Sequence, residues 1–181
     1  MKFLADRTTG KLAKKLRALG FDAAYWGGGP VEEAARAALT EGRMFLTRSR
    51  RIPAVGKDLQ VTFLEANDPR EQVREVLQKL HLRPSDELYF SRCLLCNEEL
   101  HPVTKGEVEG RVPDFIYRNC DSFCLCPRCR RVYWPGTHMD KMKEEVGRVL
   151  PGRGWPPARR ESAEKGSYGR KEGGKEWPSG N

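Results

Sequence analysis

Four cysteines occur as two Cys-x-x-Cys pairs, and this spacing is the most specific chemical signal in the sequence. The pairs are Cys93 with Cys96 and Cys126 with Cys129. Each pair fits a tight turn that directs two thiolates at one point, and two such turns facing each other form the tetrahedral site of a structural zinc ion. The spacer of 29 residues, 97–125, is longer than the commonest zinc-ribbon spacing but can hold two or three short strands. The pattern predicts structural Zn²⁺ held by four thiolates.

Disulfide bonds and redox chemistry are the alternative uses of these cysteines. The chain has six cysteines, an even number. Disulfides are typical of exported proteins, however, and residues 1–5 are more typical of a strand than of an export segment. A single Cys-x-x-Cys pair could be redox-active, but two separated pairs are better explained by a metal ion. We therefore favour zinc and a reducing, cytoplasmic location.

Cys120 and Cys124 are rival ligands, because both lie close to the second pair. Cys124 is separated from Cys126 by one residue, and these two could form a different pair of metal ligands. Only the two Cys-x-x-Cys pairs form equivalent turns, so we expect Cys120 and Cys124 to be ordinary thiols. We expect His101 and His138 to be surface residues.

Apolar residues upstream of the cysteines alternate between the spacing of strands and that of helices. We expect strands at 2–5, 23–25, 44–47 and 61–64, and helices at 8–19, 31–40 and 69–80. This alternation predicts an α/β fold with a parallel sheet flanked by helices. Functional groups in such folds collect at the carboxyl ends of the strands, where Asp6 and residues 47–49 would lie.

Composition divides the chain of 181 residues into three parts. We expect an α/β domain at 1–85, a metal module at 90–145 and a disordered basic tail at 151–181. Residues 83–91 read as a linker, and residues 140–150 could form a short helix. The tail contains seven glycines and four prolines, and it lacks the apolar residues that would offset the entropy of ordering it.

The net charge of +8 and the pI near 9.3 favour a polyanionic partner such as RNA. No run of about 18 apolar residues occurs, so we expect no membrane span. Neither property predicts the oligomeric state or a protein partner.

Three stretches together resemble the Mut-7 C-terminal RNase domain family, a PIN-like nuclease fold followed by a zinc ribbon. They are FLAD (3–6) with GKLAKKLRALGFD (10–22), EGRMFLTR (41–48), and SRCLLCN (91–97) with CPRCRRVYWPGTH (126–138). The resemblance covers about residues 1–145. It implies a cluster of carboxylates that holds Mg²⁺ or Mn²⁺ for cleavage of RNA, because hard cations prefer oxygen ligands.

The resemblance assigns the first acidic position to Asp6, which could otherwise be a helix cap or turn residue. Glu32 and Glu33 fall where the family places an acid at the start of its second helix. Acids there also favour the helix dipole, and we narrowly prefer Glu33 as the second ligand. Thr47 would orient water or a ligand.

Ser49 departs from the family pattern. The family has Thr-Arg-Asp after the third strand, and this chain has Thr47-Arg48-Ser49. A hydroxyl is a weaker ligand than a carboxylate for a hard cation. Asp58, in the following loop, could substitute for the missing acid.

Basic residues near these positions could bind phosphates or could form only a solvated surface. Those that we predict to bind nucleic acid are Lys11, Lys14, Arg48, Arg50 and Arg51. Two hypotheses result: a metal-dependent ribonuclease, and a catalytically degenerate protein that binds RNA without cleaving it. A protein-interaction scaffold is a third.

Overall fold

The computed structural model describes residues 1–52, 54–85 and 88–136. Its first part is built from β1 (Lys2–Ala5), α1 (Gly10–Ala18), β2 (Asp22–Tyr25), α2 (Val31–Thr40), β3 (Met44–Thr47), β4 (Val61–Phe63) and α3 (Pro69–Lys79). These seven elements occur in the predicted order, and their ends differ from the prediction by two residues at most. The predicted mixed α/β class with a parallel sheet flanked by helices is confirmed.

The four strands form one parallel sheet in the order β2-β1-β3-β4. Leu4 of β1 lies opposite Ala24 of β2 on one side and Phe45 of β3 on the other. The chain leaves β1 on one side to form β2 and then crosses to the other side to form β3. The carboxyl ends of β1 and β3 therefore border a topological switch point, where α/β sheets open a crevice.

Side chains alternate between the two faces of β1, as in any strand. Phe3 and Ala5 pack with apolar residues of α1 and α3, among them Leu16 and Val76. Leu4 faces the opposite way and packs with three alanines of α2. The sheet is thus covered on both faces, and burial of each large side chain contributes about 1.5–3 kcal/mol.

Local sequence fixes the ends of two helices. Gly20 follows α1 with a φ of 86°, a left-handed conformation that favours glycine and stops the helix. The Asp68 carboxylate accepts hydrogen bonds from the backbone N–H groups of Arg70 and Glu71 at the start of α3. Pro69 occupies the first helical position, where its missing N–H costs nothing.

Residues 88–136, here called the Cys-cluster unit, contain a three-stranded antiparallel sheet of β5 (His101–Val103), β6 (Phe123–Leu125) and β7 (Val132–Tyr133). A 3-10 turn (Lys105–Val108) and the short helix α4 (Asp114–Asn119) connect β5 to β6. Four buried side chains form the small core of the unit: Val108, Val112, Cys120 and Phe123. Two strands lie between the Cys-x-x-Cys pairs, as the spacer length predicts.

Several predictions concern residues beyond 136, outside the described part of the chain. They are His138 as a surface residue, the helix at 140–150, the tail at 151–181 and the last residues of the 90–145 module. Within the described residues, no helix has the length and apolar character that crossing a bilayer requires.

Candidate functional site

A cleft of about 560 Å³ opens at the carboxyl edge of the sheet, at the switch point between β1 and β3. Asp6, Glu32 and Ser49 line it, together with Arg7 and Trp26. Asp6 directly follows β1, Glu32 lies in the first turn of α2, and Ser49 is the second residue after β3. The fold thus brings together three oxygen-bearing side chains that lie far apart in the sequence.

Asp6 is almost fully buried, with 3% of its surface exposed. Its Oδ1 accepts hydrogen bonds from the Thr8 backbone N–H at 2.9 Å and from the Thr8 hydroxyl at 2.5 Å. Its Oδ2 accepts a hydrogen bond from the Thr47 hydroxyl at 2.6 Å. These donors hold the carboxylate rigidly, and a carboxylate with about four acceptor sites retains capacity for a cation.

Thr47 is completely buried at the end of β3. Its hydroxyl donates to Asp6 and accepts a hydrogen bond from the Ser49 backbone N–H at 3.0 Å. Thr47 therefore acts on the cleft through Asp6 and the turn that follows β3. The predicted role of Thr47, to orient water or a ligand, stays a prediction, and its bond orients the Asp6 carboxylate.

Glu32 and Glu33 occupy different environments at the start of α2. Glu32 lines the cleft with Asp6, whereas Glu33 does not. The Glu33 carboxylate lies against Gly29, where an added Cβ would be 2.8 Å from Oε2. The helical turn of 100° per residue points these neighbours in different directions, and Glu33 lies beside Gly29, which itself lines the cleft.

Ser49 occupies the cleft wall at the position where the family pattern has an aspartate. Its hydroxyl donates to the Arg51 carbonyl at 3.3 Å. Asp58, the suggested substitute, is exposed and does not line the cleft. The cleft lining therefore contains two carboxylates, of Asp6 and Glu32, and two hydroxyls, of Thr8 and Ser49.

None of the five predicted nucleic-acid-binding residues lines the cleft. Lys11 and Lys14 are exposed on α1. Arg48 donates from its guanidinium to Asn67, and its backbone N–H donates to the Thr8 hydroxyl. Arg50 and Arg51 are also exposed. The Arg50 guanidinium lies over the ring of Phe63, 5.7 Å from its centre.

Sequence reasoning missed Arg7 and Trp26 as lining residues. Trp26 follows β2 directly, so its position at the carboxyl edge of a predicted strand was the signal that could have found it. Its indole Nε1 is buried, and no hydrogen-bond partner for it occurs among the described residues. Arg7 brings a positive charge into the same cleft.

The four cysteines of the two pairs converge, and all their Sγ atoms lie within 4.8 Å of one another. The sulfur of Cys96 lies 3.3 Å from those of Cys93 and Cys126, and Cys93 and Cys129 are 3.6 Å apart. In a tetrahedral site with Zn–S bonds of about 2.3 Å, neighbouring sulfurs would be about 3.8 Å apart. The cluster can therefore hold a metal such as zinc with little rearrangement.

Cys120 and Cys124 do not belong to this cluster. The Cys120 thiol lies in the core of the unit, 3.8 Å from the Pro135 carbonyl oxygen. Cys124 is half-buried, and burial raises the pKa of its thiol. Within the described part of the chain, the four clustered sulfurs are the group of cysteine, histidine and acidic side chains that could hold a metal ion together.

The clustered thiols differ in acidity. Burial by itself would raise the pKa of Cys93, but hydrogen bonds from the Tyr133 hydroxyl and from backbone N–H groups outweigh it and lower that pKa to about 6. Burial and the neighbouring thiols raise the pKa of Cys96 to about 12. Burial also raises the pKa of Tyr133, whose hydroxyl lies 3.1 Å from the Cys93 sulfur. One thiolate is thus favoured before a metal binds, and binding would release protons from the others.

Arg17 joins α1 to the first cysteine turn. Its guanidinium donates to the Leu94 and Leu95 carbonyls at 3.0 and 2.7 Å, and to the Ala23 carbonyl at 2.7 Å. Burial lowers the pKa of Arg17, and the negative charge of the cysteine cluster opposes that shift. A zinc ion with four thiolates has a net charge of −2, so a cation beside it is favourable.

Asn97 makes a second link between the cluster and the sheet. Its side chain accepts from the Ala23 backbone N–H at 2.9 Å and donates to Asp22 at 2.6 Å. Asp22 also pairs with Arg43 at 2.6 Å. Burial alone would raise the pKa of Asp22, but the hydrogen bonds from Arg43 and Asn97 outweigh burial and lower that pKa. The first cysteine turn therefore covers the otherwise open edge of β2.

Comparison with known proteins identifies one family. The family model described as Mut7-C RNAse domain matches residues 1–146. The match includes the parallel sheet, the cleft beside Asp6 and all four clustered cysteines, and it confirms the resemblance found in the sequence. No curated protein and no solved structure matches the chain.

Proposed function

Since the chain belongs to the Mut7-C RNAse domain family, we propose that it is a metal-dependent ribonuclease of PIN-like type that cleaves RNA phosphodiester bonds. The observation that supports this proposal best is the cleft at the switch point, where Asp6, Glu32 and Ser49 converge. Carboxylate and hydroxyl oxygens are the ligands that Mg²⁺ and Mn²⁺ prefer. Asp6 and Glu32 would hold the ion.

When bound, such an ion supplies an activated water and neutralises charge at the scissile phosphate. The protein's own residues would hold the ligands of the ion in place. Thr8 and Thr47 fix the two oxygens of Asp6, and the Ser49 turn is tied to the same Thr47 hydroxyl. Arg7, at the cleft wall, would bind a phosphate of the substrate.

The substitution Asp6→Asn tests the site directly. It removes one negative charge from the cleft, and we expect cleavage of labelled single-stranded RNA with Mn²⁺ to fall by more than about 100-fold, since even outer-shell partners of a metal are worth about 10- to 100-fold. Thermal unfolding should show that the variant remains folded. Undiminished cleavage by folded Asp6→Asn would contradict the proposal.

Glu32→Gln and Glu33→Gln form a matched pair for the second ligand. Both remove one charge from the first turn of α2, so their effects on the helix are equal. We expect Glu32→Gln to lower the Mn²⁺-dependent rate strongly and Glu33→Gln to change it little. The opposite ranking would assign the metal to Glu33, the narrow preference from sequence.

Ser49 favours a second candidate function, RNA binding without cleavage. Two carboxylates attract a divalent cation less strongly than three, and the neutral hydroxyl faces the cleft. In this case the protein would bind RNA in a salt-sensitive manner and leave it intact in the presence of Mn²⁺. Turnover that depends on Asp6 would exclude this candidate.

We further propose that the Cys-cluster unit is a zinc ribbon and that its zinc is structural. Four thiolates leave no position open for water or substrate. The unit has only a small core of its own, so the metal would supply much of its stability. Metal analysis of purified protein should find stoichiometric zinc, lost in Cys93→Ser and retained in the control Cys124→Ser. Zinc-free protein with an intact fold would refute this role.

A further inference from the structure

Strand β7 and Trp134 separate two pockets on the Cys-cluster unit. On one side, Arg111, Arg130 and Arg131 line a basic pocket of about 360 Å³. On the other side lies an apolar groove of about 580 Å³, whose lining includes Phe115. Residues 132–134 line both pockets, so charged and aromatic side chains meet along one short segment.

The three arginines of the basic pocket carry largely unbalanced charge. All are exposed, and in the described ranges no carboxylate oxygen comes within ion-pair distance of them. Arg111 donates to the Arg130 carbonyl at 2.5 Å, which holds two of them side by side. Hydrogen bonds from the backbone N–H and hydroxyl of Thr104 lower the pKa of Glu107, and the Arg130 charge adds to that effect.

Other arginines of the chain differ in this respect. At the junction between β2 and the Cys-cluster unit, three arginines each pair with an acid: Arg43 with Asp22 at 2.6 Å, Arg92 with Glu99 at 2.8 Å and Arg128 with Glu98 at 3.8 Å. Those three arginines form ion pairs within the protein itself. The charges beside β7 are directed at solvent, which is typical of a surface that binds a polyanion.

The groove presents aromatic surface that the fold holds in place. Phe115 on α4 is 66% exposed and is not part of a core cluster in the described residues. Tyr133 is fixed by the contact of its hydroxyl with Cys93 at 3.1 Å, and Trp134 packs against the core of the unit. The groove thus combines two half-buried rings that the fold holds in place with one exposed ring, and aromatic rings of this kind stack on nucleobases.

We propose that the surface formed by Arg111, Arg130, Arg131, Phe115 and Trp134 binds single-stranded RNA. The phosphates would lie on the arginines, and an unpaired base would stack in the aromatic groove. The inference rests on the proposed function in one respect, the choice of RNA as the polyanion. It adds a second RNA contact, on a unit different from the one that carries the Asp6 cleft.

Single-stranded RNA fits this surface better than a protein partner does. An apolar groove alone would suit a protein. The three arginines across β7 from it have no carboxylate partner among the described residues, and they match the one negative charge per nucleotide of RNA. Single-strand binding sites combine a positive track with stacking rings, and both features share residues 132–134 here.

The charge contribution is tested with the full zinc-loaded chain, a labelled short single-stranded RNA and fluorescence anisotropy without added Mg²⁺ or Mn²⁺. Arg131→Gln should weaken binding severalfold and reduce the slope of log affinity against log salt concentration by about 0.7. Arg118→Gln, on the exposed end of α4, makes the same charge change elsewhere on the unit. It should leave affinity and slope near the wild-type values.

The stacking contribution is tested at Phe115, whose exposure makes the fold insensitive to it. Phe115→Ala should weaken RNA binding by roughly 5- to 100-fold. Phe115→Tyr retains an aromatic ring and should bind like the wild type. Size-exclusion chromatography of both variants shows whether the groove instead joins two copies of the chain.

The outcomes separate this inference from the proposed function. Wild-type affinity in both Arg131→Gln and Phe115→Ala would overturn it, even if Mn²⁺-dependent cleavage is present. Equal losses in Arg131→Gln and Arg118→Gln, or a change of oligomeric state in Phe115→Ala at unchanged RNA affinity, would also overturn it. The expected losses in a protein that does not cleave RNA would uphold the inference while the ribonuclease proposal fails.

Discussion

At the scale of single residues, Asp6 combines a structural and a proposed chemical role. Its carboxylate closes the turn between β1 and α1 through Thr8, and it anchors the end of β3 through Thr47. The same bonds that shape the turn therefore hold the carboxylate in place at the cleft.

Ser49→Asp should restore the acid that the family pattern has. A third carboxylate in the cleft adds a unit charge near the proposed cation, which should strengthen Mn²⁺ binding by about tenfold or more. We expect a matching rise in the rate of RNA cleavage at low Mn²⁺. Ser49→Asn, of similar size and without charge, is the control. A rate unaffected by Ser49→Asp would show that the serine does not limit the site.

Asp22 should make the stability of the protein depend on pH. Its pKa is lower in the folded state than the ordinary value of 3.8, so its stabilising effect is present above that value and is lost as the pH falls through the lowered pKa. Asp22→Asn should lower the free energy of unfolding at neutral pH by about 1–2 kcal/mol. The difference from the wild type should shrink at more acidic pH.

Denaturant unfolding at a series of pH values measures this effect. Asp58→Asn, at an exposed position, is the matched control. A stability difference between Asp22→Asn and the wild type that stays constant down to strongly acidic pH would contradict the assignment.

At the scale of structural elements, the first cysteine turn does more than hold two ligands. Asn97 has a φ of 71°, a left-handed conformation that asparagine tolerates better than most residues. This conformation directs its amide at the edge of β2, where it bonds to Ala23 and Asp22. An open strand edge is a site of unwanted pairing, and the turn covers it.

Asn97→Gly isolates that contact, because glycine keeps the left-handed backbone and loses only the side chain. The free energy of unfolding should fall by about 1–3 kcal/mol, since the Ala23 N–H is left without its partner. Asn97→Ala should lose about 1–2 kcal/mol more from backbone strain. Chemical denaturation measures both. Wild-type stability of Asn97→Gly would show that other contacts hold the turn on the sheet.

At the scale of the whole molecule, the α/β part and the Cys-cluster unit are joined by polar bonds across one junction. Arg17 bonds to two carbonyls of the first cysteine turn, and Phe90 donates from its backbone to the Ala18 carbonyl at 2.9 Å. Leu88 packs against Gly20, where any side chain would collide with it. The predicted linker at 83–91 thus includes residues that are docked onto the end of α1.

If the cysteine cluster holds zinc as proposed, chelation should affect the α/β part as well as the Cys-cluster unit. Without zinc the first cysteine turn loses its constraint, and Arg17 loses the carbonyls that it binds. Hydrogen exchange of the α1 and β2 amides should accelerate after chelation, while exchange in α3 changes less. Unchanged exchange in α1 and β2 would show that the two parts are stable independently.

The sequence by itself determined the elements of the α/β part and the four-cysteine cluster. Helical spacing and strand length predicted seven elements to within two residues at their ends, because apolar periodicity directly reflects which side of an element is buried. Two equivalent Cys-x-x-Cys turns predicted the cysteine cluster, since each turn forms its own geometry over four residues. Asp6 and Ser49 could be placed at the carboxyl edge because parallel strands end on the same side.

Only the tertiary structure decided which of these residues meet. Glu32 lines the cleft and Glu33 lies against Gly29. Thr47 donates to Asp6, and Trp26 lines the cleft wall. The three arginines and the aromatic groove beside β7 come from separate segments of the chain. Local patterns specify the face of an element, whereas contacts between distant segments depend on how the elements pack. That packing is fixed by the whole core and cannot be inferred from any one stretch.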